Sequence, residues 1–184
     1  AGEAHLAKFG FRFNASFGLT KIAHLRARDP ARLERAARIA HAADVVAGRL
    51  TGRYDVTDWT SALKTGYDVA DLAWPAFIGG TLGLPAGKLP RVVRPGEPVG
   101  RAEGPGAREA GRAPGPVVVA GLTDGCASQL GAGAVAPGNL CSSLGTTLIL
   151  KGVVPELRRD PRGRVYSHRH PEGLWMPGGA SNTG

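Results

Sequence analysis

Asp124 sits where a sequence can do acid–base chemistry. It follows the apolar run Val117-Val118-Val119-Ala120 and the turn residues Gly121-Leu122-Thr123, and it precedes Gly125 and a run of small residues from Cys126 to Val135. A strand, a turn and then a helix place this carboxylate at the mouth of an α/β sheet, where ligands collect. Asp is equally a favoured N-cap for the helix that follows, so spacing alone leaves base and cap open. Ser142-Ser143-Leu144-Gly145-Thr146-Thr147 could wrap phosphate oxygens through N–H and hydroxyl donors around a glycine that admits close approach. The same residues also read as an ordinary hairpin with threonines in its strands. Gly178-Gly179-Ala180-Ser181-Asn182 reads as a helix N-terminus, either an anion site or a tight turn.

Other chemistries find little support. No Gly-Lys-Ser or Gly-Lys-Thr occurs, so there is no P-loop, and no serine lies in Gly-x-Ser-x-Gly. Cys126 and Cys141 are too few for a disulfide framework and form no zinc pattern; both read as buried small side chains. His168 and His170 flank Arg169 without an Asp, Glu or Cys at ligand spacing, which favours a surface or packed pair over a metal site; His5, His24 and His41 read as incidental. The formal charge of +8 suits an anionic ligand, but the arginines lack interleaved aromatics, so a solvated basic surface is preferred to nucleic-acid binding. No apolar run approaches the ~20 residues of a membrane span, which leads to the expectation of a soluble cytoplasmic protein.

The elements that must position these residues follow from periodicity and breakers. Ser16 begins a helix that stops near Asp29-Pro30. Asp29 caps a second helix, in which Leu33, Ala36, Ala37, Ala40 and Ala47 line one face as far as Gly48. A short helix is expected around Asp71 to Ile78. Trp59 and Trp74 read as packing anchors. From Pro95 to Pro116, 11 of 22 residues are Gly or Pro, which predicts a surface excursion or linker. The run from Val117 to Ala120 predicts a buried central strand with neighbours on both edges, so its sheet should be completed by residues outside this sequence. Leu140–Leu144 and Thr147–Leu150 form a strand pair bent at Gly145; Arg164–His168 and Leu174–Pro177 are further strands.

In this order the pieces resemble the FGGY carbohydrate kinases. The weaker part of the resemblance is Asp44 with Leu50-Thr51-Gly52, Ser61 to Asp68, Leu89 to Val93 and Pro95 to Gly100; the stronger part is Ala120 to Ala127, Ser143 to Thr147 and Gly178 to Asn182. The resemblance implies an α/β, actin-like (ribonuclease H-like) ATPase fold of two domains closing around sugar and ATP. Residues 1–138 would be the later part of the N-terminal, sugar-binding domain and residues 139–184 the beginning of the C-terminal, ATP-binding domain. It implies that Asp124 takes the proton from the sugar hydroxyl, that Gly145, Thr146 and Thr147 contact ATP phosphates, that Gly179 lies beside the nucleotide, and that ATP and Mg²⁺ are the cofactors. The expected partners are a small sugar and ATP, with no nucleic acid and no membrane, and a homodimer is left open.

Ser143 to Leu148, Val165 to His168 and Gly178 to Gly184 look most like D-ribulose kinases, xylulokinase-like enzymes of cyanobacteria and plants. They imply phosphorylation of D-ribulose to D-ribulose 5-phosphate, with xylulose, ribitol or glycerol, or a non-catalytic actin-like nucleotide binder, as alternatives. Gly125-Cys126 departs from the family's usual Ser or Asn followed by a small apolar residue. The family's first phosphate loop, of Asp-x-Gly-Thr type, and its adenosine segment are not found in these residues, so the fragment by itself is expected to be inactive.

Overall fold

The structure is a computed structural model that describes residues 2–160 and 162–181. It divides into two compact units, residues 15–122 and residues 2–14 with 123–160 and 162–181. The second begins with α1 (Gly2–Phe9), which buries His5 and Phe9. Phe11 then brings its ring to 5.3 Å from that of Tyr166, so an aromatic cluster ties the opening residues to a strand more than 150 positions later.

Within residues 15–122, α2 (Gly18–Arg28) is followed by α3 (Pro30–Arg35), and Asp29 caps α3 as expected, accepting from the Arg32 N–H at 2.9 Å. The single helix expected from Pro30 to Gly48 is two. Ala36 is extended (ψ 126°), and α4 (Ala42–Thr51) restarts at His41 with a capping box to Asp44. His41 is therefore not incidental. Its Nδ1 lies 2.9 Å from Asp44 and 3.0 Å from the Thr57 hydroxyl, and its Nε2 is 2.9 Å from the Thr65 hydroxyl. These long-range bonds hold the start of α4 in place and override the alanine periodicity.

β1 (Val56–Asp58) leads into the one-turn helix α5 (Trp59–Ala62), which Asp58 caps through the Thr60 and Ser61 N–H groups. The helix expected around Asp71 to Ile78 is confined to α6 (Ala76–Gly79). β2 (Arg91–Val93) pairs in parallel with β1. The Gly/Pro-rich stretch is not a linker. It supplies β3 (Pro98–Arg101) and α7 (Pro105–Glu109), and Val99 joins Val56, Val93 and Ala120 in a buried cluster. Each of the three valines contributes about 1.5–3 kcal/mol of burial.

β4 (Val117–Val119) pairs antiparallel with β3. Among the described residues β4 has one partner, and Val118 packs on the core while Val117 and Val119 are half exposed; the second neighbour expected for a buried central strand is not among these residues.

α8 (Asp124–Gly131) stops short of Val135 because Gly133 takes φ 77°. It packs on a four-stranded antiparallel sheet of order β5-β6-β8-β7, made of β5 (Leu140–Leu144), β6 (Leu148–Gly152), β7 (Tyr166–Arg169) and β8 (Trp175–Ser181). Gln129 anchors α8 by donating to the Gly152 carbonyl at 3.0 Å, and Cys126 is fully buried. On this face of the hairpin lie Cys141, Ser143, Ile149 and Lys151, beside Gly125, Ser128 and Gln129 of α8. Leu140, Leu144 and Leu150 occupy the opposite face and are exposed. The expected helix start at Gly178-Gly179 is corrected: β8 runs straight through, with Gly178 paired to Lys151 and Gly179 to Leu150. Asn182 lies outside the described residues.

Candidate active site

Asp124 is the first residue of α8, and Thr123, not Asp124, is the N-cap. Its carboxylate is exposed and accepts the N–H of its neighbour Gly125 at 2.8 Å, satisfying one of the orphan donors of the first turn. Among the described residues it has no other hydrogen bond and no ion pair, which leaves most of its acceptor capacity facing solvent.

Gly145 to Thr147 form the tip of the β5–β6 hairpin, beyond the closing pair Leu144–Leu148. The Gly145 N–H reaches the Thr147 carbonyl at 3.3 Å, Gly145 has open space where a Cβ would stand, and Thr147 is half-buried. The N–H and hydroxyl of Thr146 are exposed and without a partner among the described residues. A glycine beside free N–H and O–H donors, with no acidic neighbour at the tip, suits phosphate oxygens. Gly179 lies in β8, where an added Cβ would meet the Arg164 carbonyl at 3.4 Å, an ordinary contact. Asp124 and the hairpin are brought together through α8, which lies on β5 and β6; no contact joins Asp124 itself to Gly145, Thr146 or Gly179 among the described residues.

Lys151 escaped the sequence reading. Its ammonium reaches the first turn of α8, 3.5 Å from Cys126 Sγ. A charged residue directly after the apolar run Leu148-Ile149-Leu150, still within the strand, was the signal that could have found it. Among the described residues no three His, Cys, Asp or Glu side chains are placed to hold a metal ion together. No helix among them is long and apolar enough to cross a membrane.

His168 and His170 are both packed in the protein interior, 5% and 4% exposed. His170 Nδ1 accepts the Glu172 N–H at 3.0 Å, while its buried Nε2 has no partner among the described residues. Burial holds its pKa below the usual 6.5, partly countered by the Glu172 charge. The unfolded chain therefore binds the proton first as pH falls. Stability from this group is complete above 6.5 and is lost through the interval below it, down to the depressed folded value. Urea midpoints are expected to fall between about pH 7.5 and about pH 5.5, and His170→Asn, which keeps an acceptor for Glu172, should flatten that slope. An unchanged slope would mean that other groups set it.

Comparison with known proteins bears on what this arrangement is. Residues 3–131 match the N-terminal domain of the FGGY family of carbohydrate kinases. The xylulose kinase of Streptomyces rubiginosus is 37% identical over 166 residues, covering 89% of this chain and 33% of that protein. The xylulose kinase of Streptomyces coelicolor is 36% identical over 176 residues, covering 89% and 34%. The crystal structure of xylulose kinase from Rhodospirillum rubrum superposes with a TM-score of 0.86 at 25% identity, over 97% of this chain and 37% of that one. The chain thus spans about a third of the length of the relatives it matches, and it carries part of their actin-like ATPase fold. With 129 consecutive positions matched, the chain belongs to the FGGY family of carbohydrate kinases.

Proposed function

We propose that the whole protein is an ATP-dependent kinase of a ketopentose, with Asp124 as the general base that takes the proton from the sugar hydroxyl. The observation that carries this reading is the exposed Asp124 carboxylate, which is spent on no partner beyond its own turn, at the head of a helix lying on the donor-rich hairpin. Phosphoryl transfer asks the protein for positioning and charge stabilisation more than for covalent chemistry. The Thr146 N–H and hydroxyl would donate to phosphate oxygens, Gly145 would let them approach, and Thr147 would hold the tip through its carbonyl bond to Gly145. Gly179 is assigned the nucleotide side on the family resemblance. When bound, ATP supplies the phosphoryl group, and Mg²⁺ neutralises its charge.

The domain division at 138/139 is part of the same proposal. It is supported by the end of the family match at residue 131, whereas the compact units of the fold divide at 122/123, with α8 packed on the four-stranded sheet. A cytoplasmic location is proposed with it.

The relatives at 37% and 36% identity are xylulose kinases, which favours xylulose as the substrate. The motifs around Ser143–Leu148 and Val165–His168 favour D-ribulose as the second candidate. Assay of the whole protein with ATP, Mg²⁺ and xylulose, ribulose, ribitol and glycerol in turn tests the reading. ADP formation dependent on a ketopentose is expected. Nucleotide binding with no sugar-stimulated turnover would replace the kinase with a non-catalytic actin-like binder.

A further inference from the structure

Two glycines make room for one lysine. Lys151 leaves β6 opposite Gly178, where an added Cβ would stand 2.7 Å from Lys151 Cγ. Its ammonium then arrives over Gly125, where an added Cβ would stand 3.3 Å from Nζ. Stem and head thus each lie against a position without a side chain. Gly125 is the residue that departs from the family pattern, and it directly follows Asp124.

A lysine ammonium has three protons to donate. Among the described residues this half-buried one finds a single acceptor, the Cys126 sulfur at 3.5 Å, and sulfur accepts weakly. A Met or Leu would fill the same slot without a charge, so what the lysine adds beyond packing is its ammonium. The partner this geometry offers an ammonium is anionic charge at the head of α8. Asp124 directly precedes Gly125 there, and among the described residues its carboxylate makes no ion pair, with Lys151 or with any other cation.

We propose that Lys151 is a positioning residue for phosphoryl transfer: its ammonium, threaded past Gly178 to Gly125, holds the Asp124 end of α8 and sets a positive charge beside the base. This rests on the kinase reading above and deepens it. It also explains two features that the sequence left without a physical cause, Gly125 in place of a larger residue and Gly178 within a strand.

The test uses the whole protein. Lys151→Met fills the slot without charge, and kcat is expected to fall by up to about 10²-fold with KM for sugar little changed. Lys151→Ala should lose as much and regain part of it, saturably, on addition of propylamine, which a purely structural lysine would not show. Gly125→Ala should be as stable as the parent or more so, because Ala favours the helix, and its methyl, 3.3 Å from Nζ, should push the ammonium aside slightly and slow turnover modestly. Unchanged kcat in Lys151→Met, or loss confined to KM, would overturn the proposal. So would Gly125→Ala with full activity.

A readout independent of turnover separates this proposal from the kinase reading. In protein carrying ¹⁵N-labelled lysine, Asp124→Asn should shift the Lys151 Nζ resonance. No shift would sink the proposal even in an active kinase, and a shift would sustain the Lys151–Asp124 coupling even if the sugar assay failed.

Discussion

Asp124→Asn in the whole protein is expected to lower kcat by about 10²- to 10⁴-fold, the range a positioned general base contributes. The substitution is well suited to the question. The one bond that Asp124 makes within the fold is from the Gly125 N–H at 2.8 Å, and an asparagine carbonyl can accept it equally. The carboxylate is also exposed and makes no ion pair among the described residues, so its loss breaks none. Thermal stability should therefore stay close to that of the parent while turnover collapses. KM for ATP should move little, because the donors assigned to phosphate lie on the separate tip Gly145–Thr147. Near-normal turnover would remove Asp124 as the base. A joint loss of stability and activity would instead restore its part in closing the first turn of α8 as its main one.

What could be read in advance from the sequence divides by how far the determining contact lies along the chain. Asp29-Pro30 was legible because a cap is a local event, decided by the Arg32 N–H three residues on. The hairpin at 140–152 was legible for the same reason, with two apolar runs separated by Gly145. The break in the helix at 36–41 was not, because what fixes His41 are the hydroxyls of Thr57 and Thr65, 16 and 24 positions away. Gly178-Gly179 misled in the opposite direction. A glycine pair signals a turn by local rules, yet Gly178 serves a strand by clearing space for a lysine on the neighbouring strand. For the site, the place of Asp124 at the head of a helix was legible, whereas the assignment of the N-cap to Thr123 rather than Asp124 was not. Lys151 showed in the sequence only as a charge at the end of an apolar run; what it packs against, Gly125, Cys126 and Gly178, is set by the fold.

The Gly/Pro-rich stretch yields the second large effect. Gly104→Ala is expected to destabilise the whole protein by about 2–3 kcal/mol, measured as a fall in the urea midpoint at unchanged slope. Gly104 has φ −73° and ψ 177°, a conformation any residue adopts, so backbone freedom is not what the position requires. On unfolded-chain entropy alone, alanine would stabilise by about 0.4–1 kcal/mol. Space reverses the sign. An added Cβ would stand 2.6 Å from the Gly52 nitrogen, 2.7 Å from the Arg49 carbonyl oxygen and 2.8 Å from the Leu50 carbonyl carbon. All three are backbone atoms at the end of α4, which cannot swing aside as a side-chain tip can. The Gly104 N–H also donates to the Leu50 carbonyl at 2.7 Å, and that bond would have to stretch to relieve the clash. Gly87→Ala is the matched comparison, since nothing stands within 4 Å of its added Cβ, and it should be neutral or mildly stabilising. Equal midpoints for the two variants would mean that α7 does not seat on the end of α4, and the stretch would revert to the linker its composition suggests.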